Sequence, residues 1–495
     1  MQRFGWALGT FLVLHLACGG GRGPASAPPA VSVAITPAGA SLWTGGTQAF
    51  QASVTGTSNQ AVTWSVMESG GGTISGTGSY TAPATAGNYH VKAVSVADMT
   101  KSAQASVSVS IQPPAGACNG ADLGIGANLR GFTAFPSGNA WNQDISAAPV
   151  DPASDAIIAF IGAGTGLHSD FGAGLYNGGP IGIPYAVVGG SQPLVPVTYI
   201  AYPDESDPGP MPIPVPPPYE GPDPSATSGD RHVLVVDRDT CLLYELYAAQ
   251  RQPDGSWHAD SGTIWDLKSD HLRPFGWTSA DAAGLPIFPG LARYDEVAAG
   301  TITHALRFTV PTSRRAYVLP ATHWASSNTS ASAPPMGMRV RLKASVDIST
   351  YPAQVRVLLA ALKRYGMILA DNGSPWFITG APDDHWNNDQ LATLSGIKGS
   401  DLEVVKMDAV FTSDPTGPAP VIGSFGATPA TIASGATATL SWATTNATRL
   451  FLSPGIGWVT GASLPVHPTA TTTYTLEAQG PYGSTTRTVQ VTVTP

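Results

Sequence analysis

The sequence predicts a mainly β protein: two small β-sandwiches flanking a large β-rich, jelly-roll-like central domain with one or two helices. Three observations carry that expectation. Gly (56) and Pro (44) make up about a fifth of the 495 residues and punctuate the chain too often for long helices. Apolar and polar residues alternate in stretches such as VSVAITP, QASVSVSI and RTVQVTVTP, the period of half-buried strands. Charge is segregated as well: residues 113–417 hold 30 acidic and 18 basic side chains, net −12, while the flanks are almost uncharged. The length exceeds one ordinary core, so about three domains are expected. The acidic centre argues against binding nucleic acid through its phosphates.

Residues 1–18 have the pattern of an export signal, with Arg3 ahead of an apolar stretch, 4–17, too short for a stable span. Cys18 in HLACGGG resembles the lipidated cysteine of a bacterial lipobox, although His15 stands where that motif carries an aliphatic residue. The alternative is an ordinary signal peptide cut elsewhere. Residues 19–30, rich in Gly, Pro and Ala, read as a tether. The expected product is a membrane-anchored lipoprotein at the outer membrane or cell surface, or a secreted protein. Cys118 and Cys241 are then left in an oxidising compartment, where one disulfide is the single intramolecular option.

Residues 31–112 alternate through several short strands separated by Gly, Thr and Ser turns, as in a small sandwich. The phrases WTGGTQAFQASVTG, VTWSV and GSYTAPATAGNYHVKAVS resemble bacterial Ig-like domains of the group 2 type, which makes Trp64 the expected core tryptophan. PPAG at 113–116 reads as a linker. Residues 419–495 (ATATLSWATTNATRLFLS, TTTYTLEAQ) resemble a second bacterial Ig-like module with Trp442 in the core role. Both modules are expected to be spacers.

The central domain, 117–412, offers strand candidates in DAIIAFI, YAVVGG, VPVTYIAY, RHVLVVD, LLYELYAA, ITHALRFTV and RAYVLPA. Residues 350–366 predict a helix, with Pro352 at its start, one stripe of Val355, Leu358, Leu359 and Leu362, and Gly366 at its end. GMILADNGSPWFITG predicts a hairpin turning at Asn372-Gly373, and a shorter helix is expected over 388–394. The segment 203–224 has five acids, no base and many prolines. It cannot form an inner strand and reads as a solvated excursion, either a lid or an inert insertion.

The densest signal is 229–250, GDRHVLVVDRDTCLLYELYAAQ: two β-rich runs around a polar tetrad, the pattern of a hairpin. If Asp237 pairs with Leu242, His232 and Glu245 share a face, and the two are expected to contact each other. No HExxH, GxSxG, P-loop or CxxC pair is present, and neither a metal nor a cofactor is expected. His232, Glu245, Asp266 and His304 are the candidate catalytic groups. Trp265, Trp277, Arg273 and Arg307 are the candidate binding groups. Carboxyls beside flat rings suit a sugar-polymer cleft, and the competing reading is turn acids beside core tryptophans. The stretches NAWNQDISAAPVDPASDA, GWTSADAAGLPIFPGLARYDEV and LKRYGMILADNGSPWFITGAP resemble an uncharacterised secreted bacterial family, which implies no particular activity. The reading is an exported protein whose centre acts on or grips a polysaccharide or other cell-surface ligand, as a hydrolase if it is an enzyme. A non-catalytic adhesion or binding protein is the alternative.

Overall fold

A computed structural model of the chain describes residues 30–110, 117–454 and 456–494. The export signal, Cys18, the tether and the 113–116 linker lie outside the described residues. The chain divides into two compact units, Met1–Gln112 and Pro113–Pro495. It is mostly β, with multiple sheets, as the alternating pattern requires.

The first unit is a small sandwich. A four-stranded sheet, led by the pairing of Gly87–Ser95 with Ser102–Ser110, is joined by a three-stranded and a two-stranded sheet. Phe50 and Tyr80 fill its core at 1% and 0% exposure, and the Tyr80 hydroxyl donates to the Gly71 carbonyl at 2.6 Å. Trp64, expected at the centre, is only partly buried and packs on the margin of that core.

The central part of the second unit is built on two mixed sheets. Its main strands are β1 (Gly124–Ile125), β2 (His168–Asp170), β3 (Tyr185–Val188), β4 (Val233–Asp237), β5 (Leu242–Tyr247) and β6 (Ser261–Asp266). Then come β7 (Leu306–Val310), β8 (Arg339–Leu342), β9 (Met367–Asn372), β10 (Phe377–Thr379) and β11 (Leu402–Val404). The five-stranded sheet runs β1-β3-β4-β5-β6 and the six-stranded sheet β2-β10-β7-β9-β8-β11. One apolar core takes residues from both, among them Leu234, Val236, Leu243 and Trp265 from the first and Leu306, Phe308 and Met367 from the second. Parallel pairs (β3 with β4, β2 with β10, β7 with β9) distinguish these sheets from the purely antiparallel arrangement of a jelly roll.

β4 is buried along its whole length because the five-stranded sheet is covered on both sides, which suits its unbroken VLVV run. Val233, Val235, Leu242, Leu246 and Ile264 on its outer face pack against Met211, Ile213 and Tyr219. Those three belong to the Pro-rich segment, so the expected solvated excursion is corrected. The segment lies on the sheet, attached by single bridges of Met211 to Val195 and of Tyr219 to Val233. Its prolines prevent ladder pairing but leave its apolar side chains free to bury.

Two local expectations also change. DAIIAFI forms a helix, α1 (Ser154–Ile161), with Ile157, Ile158 and Ile161 buried on one side and Gly162 at φ 132° ending it. A short apolar run has no period that separates helix from strand. GMILADNGSPWFITG is not a hairpin, because β7 lies between β9 and β10. The Gly373 N–H reaches the Val310 carbonyl and the Trp376 N–H the Thr309 carbonyl, so the turn closes over β7. RAYVLPA contributes only isolated bridges at Tyr317. The remaining helices are α2 (Tyr294–Ala299), α3 (Ala353–Arg364), whose Val355, Leu358, Leu359 and Leu362 are buried as expected, and α4 (Asn388–Ala392).

The C-terminal sandwich has sheets of three and five strands, with Trp442 buried at 5% exposure among Leu440, Leu452, Tyr474 and Leu476. It is docked on the central domain, and the spacer expectation is corrected accordingly. In the strand Arg449–Ser453, Leu450 and Leu452 face the module's own core while Phe451 enters the central cluster with Val235 and Leu246. The Trp458 indole N–H and the Arg449 guanidinium both donate to the Ile264 carbonyl, at 3.1 and 3.3 Å. Arg449 lies 3.7 Å above the Trp458 ring.

Candidate functional site

The hairpin register is the one that alternation predicts: Asp237 pairs with Leu242 and Leu234 with Glu245. His232 and Glu245 nonetheless do not pair with each other. Glu245 is fully buried and accepts from the Ile287 and Phe288 amides at 2.9 Å each and from the Trp265 indole at 3.0 Å. Burial pushes its pKa up to about 7 even so. Two backbone amides and an indole make it an anchor for the turn Phe288–Gly290. His232 turns instead to Glu220 of the Pro-rich segment, with Nδ1 2.5 Å from the carboxylate and Nε2 3.2 Å from the Ala280 carbonyl. Both ring nitrogens face acceptors, so the imidazolium satisfies both. Burial alone would lower its pKa, but Glu220 outweighs that and holds it up at about 9.

The other sequence candidates separate. Asp266 pairs with Leu242 while Trp265 pairs with Leu243. Asp266 therefore points to the opposite face of β6 from Trp265 and Glu245, which excludes the Glu245–Asp266 carboxyl pair. Asp266 accepts the Lys268 amide in a turn. His304 is buried beside α2, with Nε2 3.1 Å from Glu296 and 3.2 Å from Arg293. Trp265 is 4% exposed, too little to present a full ring face to a sugar. Together with Trp277 it flanks the Arg273 guanidinium, at 5.9 and 5.3 Å. Arg273 is buried in an ion pair with Asp207 at 2.8 Å, another acid of the Pro-rich segment. Cys118 and Cys241 are disulfide-bonded, with Cα atoms 5.8 Å apart.

One open surface does gather chemistry, and Arg307 is its centre. β2 pairs with β10 (His168 with Phe377, Asp170 with Thr379), β10 with β7 (Phe377 with Thr309), and β7 with β9 (Thr309 with Asp371). Arg307 stands two residues from Thr309 on the same face, and its Nη1 donates to the Thr379 hydroxyl at 2.7 Å. Its remaining nitrogens hold Asp281 through two bonds of 2.7 Å and reach Asp371 at 3.4 Å. The opposite face of the same strands, with Leu306, Phe308, Val310 and Ile378, is core.

The result is a candidate cleft: a polar sheet face with a buried cationic floor, Arg307 and His232, and an acidic rim. The Arg307 charge is stabilised by Asp281, Asp371 and Glu220. Asp371 keeps a third of its side chain open. Burial and then Asp281 push its pKa up to about 6, against the pull of Arg307. Asp170 is exposed, yet it sits deep enough among its neighbours that desolvation raises its pKa, with Glu220 and Asp230 adding to the rise and His168 and Arg307 opposing it. At one edge His168 stacks on Phe377, with ring centroids 4.1 Å apart. Asp170, Glu220 and Asp371 were not singled out as site residues from sequence. A polar residue two positions from Asp170 (His168) and another two from Thr309 (Arg307) are the alternation that could have marked this face. Among the described residues no group of three or more His, Cys, Asp or Glu is arranged to hold a metal ion.

No family model matches the chain, and no curated protein does. Among solved structures, the N-terminal eight Ig domains of Down Syndrome Cell Adhesion Molecule isoform 1.30.30 align over 94% of this chain and 57% of that one, at 10% identity and a TM-score of 0.14. The N-terminal four Ig domains of Dscam1 isoform 1.9 align over 93% and 99%, at 10% identity and a TM-score of 0.15. The chain thus spans little more than half of the eight-domain protein, and TM-scores this low establish no common overall fold.

Proposed function

We propose that this is an exported surface protein whose central domain binds extracellular carbohydrate in the Arg307 cleft. The observation behind this reading is the open face that combines fixed carboxylates (Asp170, Asp371), a guanidinium floor and the His168–Phe377 stack. Carboxylates accept paired hydrogen bonds from sugar hydroxyls, and flat rings suit the C–H faces of the sugar. The Cys118–Cys241 disulfide supports residence in an oxidising compartment. Anchoring through Cys18 accords with the lipobox-like sequence, and no helix among the described residues is long and apolar enough to cross a membrane. Binding of the full chain to an immobilised polysaccharide panel tests the reading. Asp371→Asn is expected to weaken capture roughly tenfold with the fold unchanged by circular dichroism. Equal capture by wild type and variant, or no capture by wild type, rejects the cleft.

Hydrolysis in the same cleft is a second reading, favoured by one observation: Asp371 holds its proton to about pH 6, which suits a general acid. Release of reducing ends from a captured polysaccharide should then fall as pH rises through that value and vanish in Asp371→Asn. Capture without release identifies a binding protein.

A further inference from the structure

A second site lies elsewhere in the central domain and is independent of the Arg307 cleft. Two cavities of about 280 and 320 Å³ share Ala140, Leu319 and Pro320 in their walls and so adjoin each other. The first is walled by Phe135, Trp141 and Trp265, all under 10% exposed, with Asn139, Asp270 and His271 also lining it. The second is lined by Arg339 and Lys406, with Asp408 as its carboxylate.

Arg339 is the distinctive group. Arg341, two residues on and on the same face of β8, is neutralised by Glu403 at 2.8 Å. Among the described residues Arg339 has only carbonyl partners: its Nε donates to Tyr365 at 2.8 Å and its Nη2 to Gln143 at 3.1 Å. Burial alone depresses its pKa to about 10, and no carboxylate offsets that. A half-buried guanidinium bonded only to carbonyls, lining a cavity where Lys406 already offsets the lone carboxylate Asp408, favours an anion there. Lys406 adds a second positive charge, in a domain that is otherwise strongly acidic. The apolar, aromatic neighbour cavity favours a body without charge.

We propose that the joined cavities bind a small amphipathic carboxylate, its anionic group on Arg339 and Lys406 and its apolar body against Trp141 and Trp265. The shared chemistry is a carboxylate on a short hydrophobic stem, whether aryl or alkyl. Calorimetric titration of the full chain with 3-phenylpropionate and with octanoate tests it and separates the two sources. At least one should bind saturably, and 3-phenylpropionamide, uncharged but equal in size, should bind roughly tenfold more weakly or worse. Because Arg339→Gln could perturb the backbone that Arg339 holds, two exposed positions provide the controls. Lys406→Gln and Leu319→Asp, the latter placing a negative charge at the junction, should each weaken the acid while leaving the circular dichroism spectrum unchanged. No saturable binding of either carboxylate up to about 10 mM, equal affinity for acid and amide, or indifference to both Lys406→Gln and Leu319→Asp overturns the proposal.

Discussion

Two modules of nearly the same sequence texture meet different ends in this chain. The N-terminal sandwich closes its own core around Phe50 and Tyr80, and its strands keep one face for water: Gln51–Thr55 alternates exposed and covered residues from end to end. The C-terminal sandwich does the same in Ala438–Thr445 but departs from it in Arg449–Ser453, where the RLFLS run is covered on both faces. One face belongs to the module, and the other belongs to the central domain through Phe451 and Arg449. A strand with large side chains to cover on both faces needs two partners, and one small sandwich supplies only one. The lesson is that a module's role is read from the strand that breaks the pattern rather than from the pattern itself.

Separating the modules from the chain would sharpen the comparison most. Residues 30–112 expressed alone should fold cooperatively, whereas residues 419–495 alone should expose Phe451 and Trp458 and associate or melt far lower. Thermal unfolding with light scattering checks both, and equally well-behaved fragments would break the contrast. Next in size is Phe451→Ala, which empties a buried site shared by module and central domain. A loss of about 3–5 kcal/mol is expected in denaturant unfolding of the full chain, and a loss under 1 kcal/mol would mean that the docked face contributes little.

The smallest effect concerns pH at the docked face. Glu477 is buried there beside Gln479, which donates to both Glu477 and Asp207. Burial, then Asp207, push the Glu477 pKa up to about 7 from 4.5. The folded state thus binds this proton more tightly than the unfolded chain does. The group therefore favours the fold below about pH 4.5 and loses that advantage as pH rises to about 7. Glu477→Gln should raise stability by on the order of 1 kcal/mol at mildly alkaline pH and flatten that slope. A variant with the wild-type slope would remove Glu477 as its cause.

Local pattern made much of the fold legible. Period-two alternation marked the sandwiches, the 229–250 stretch carried its register, and the spacing of Val355, Leu358, Leu359 and Leu362 marked α3. The candidate cleft was legible only in fragments. Arg307 and His232 stood out as polar residues inside apolar strands, but their partners Asp281, Asp371 and Glu220 lie 26, 64 and 12 residues away. Nothing local ties such residues together.

What the sequence by itself determined is the alternating strands of the sandwiches, the register of 229–250 and the disulfide pairing open to two isolated cysteines, because alternation and composition act over a few residues. Which acid neutralises which buried cation was decided only in the tertiary structure. His232 and Glu245 share a face, yet each is satisfied by a different segment, because a buried charge takes whichever partner the packed layers bring to it. The acidic Pro-rich stretch, which in isolation has every mark of a solvated loop, is ordered for the same reason: Asp207 and Glu220 meet Arg273 and His232 only once the sheet beneath them has formed.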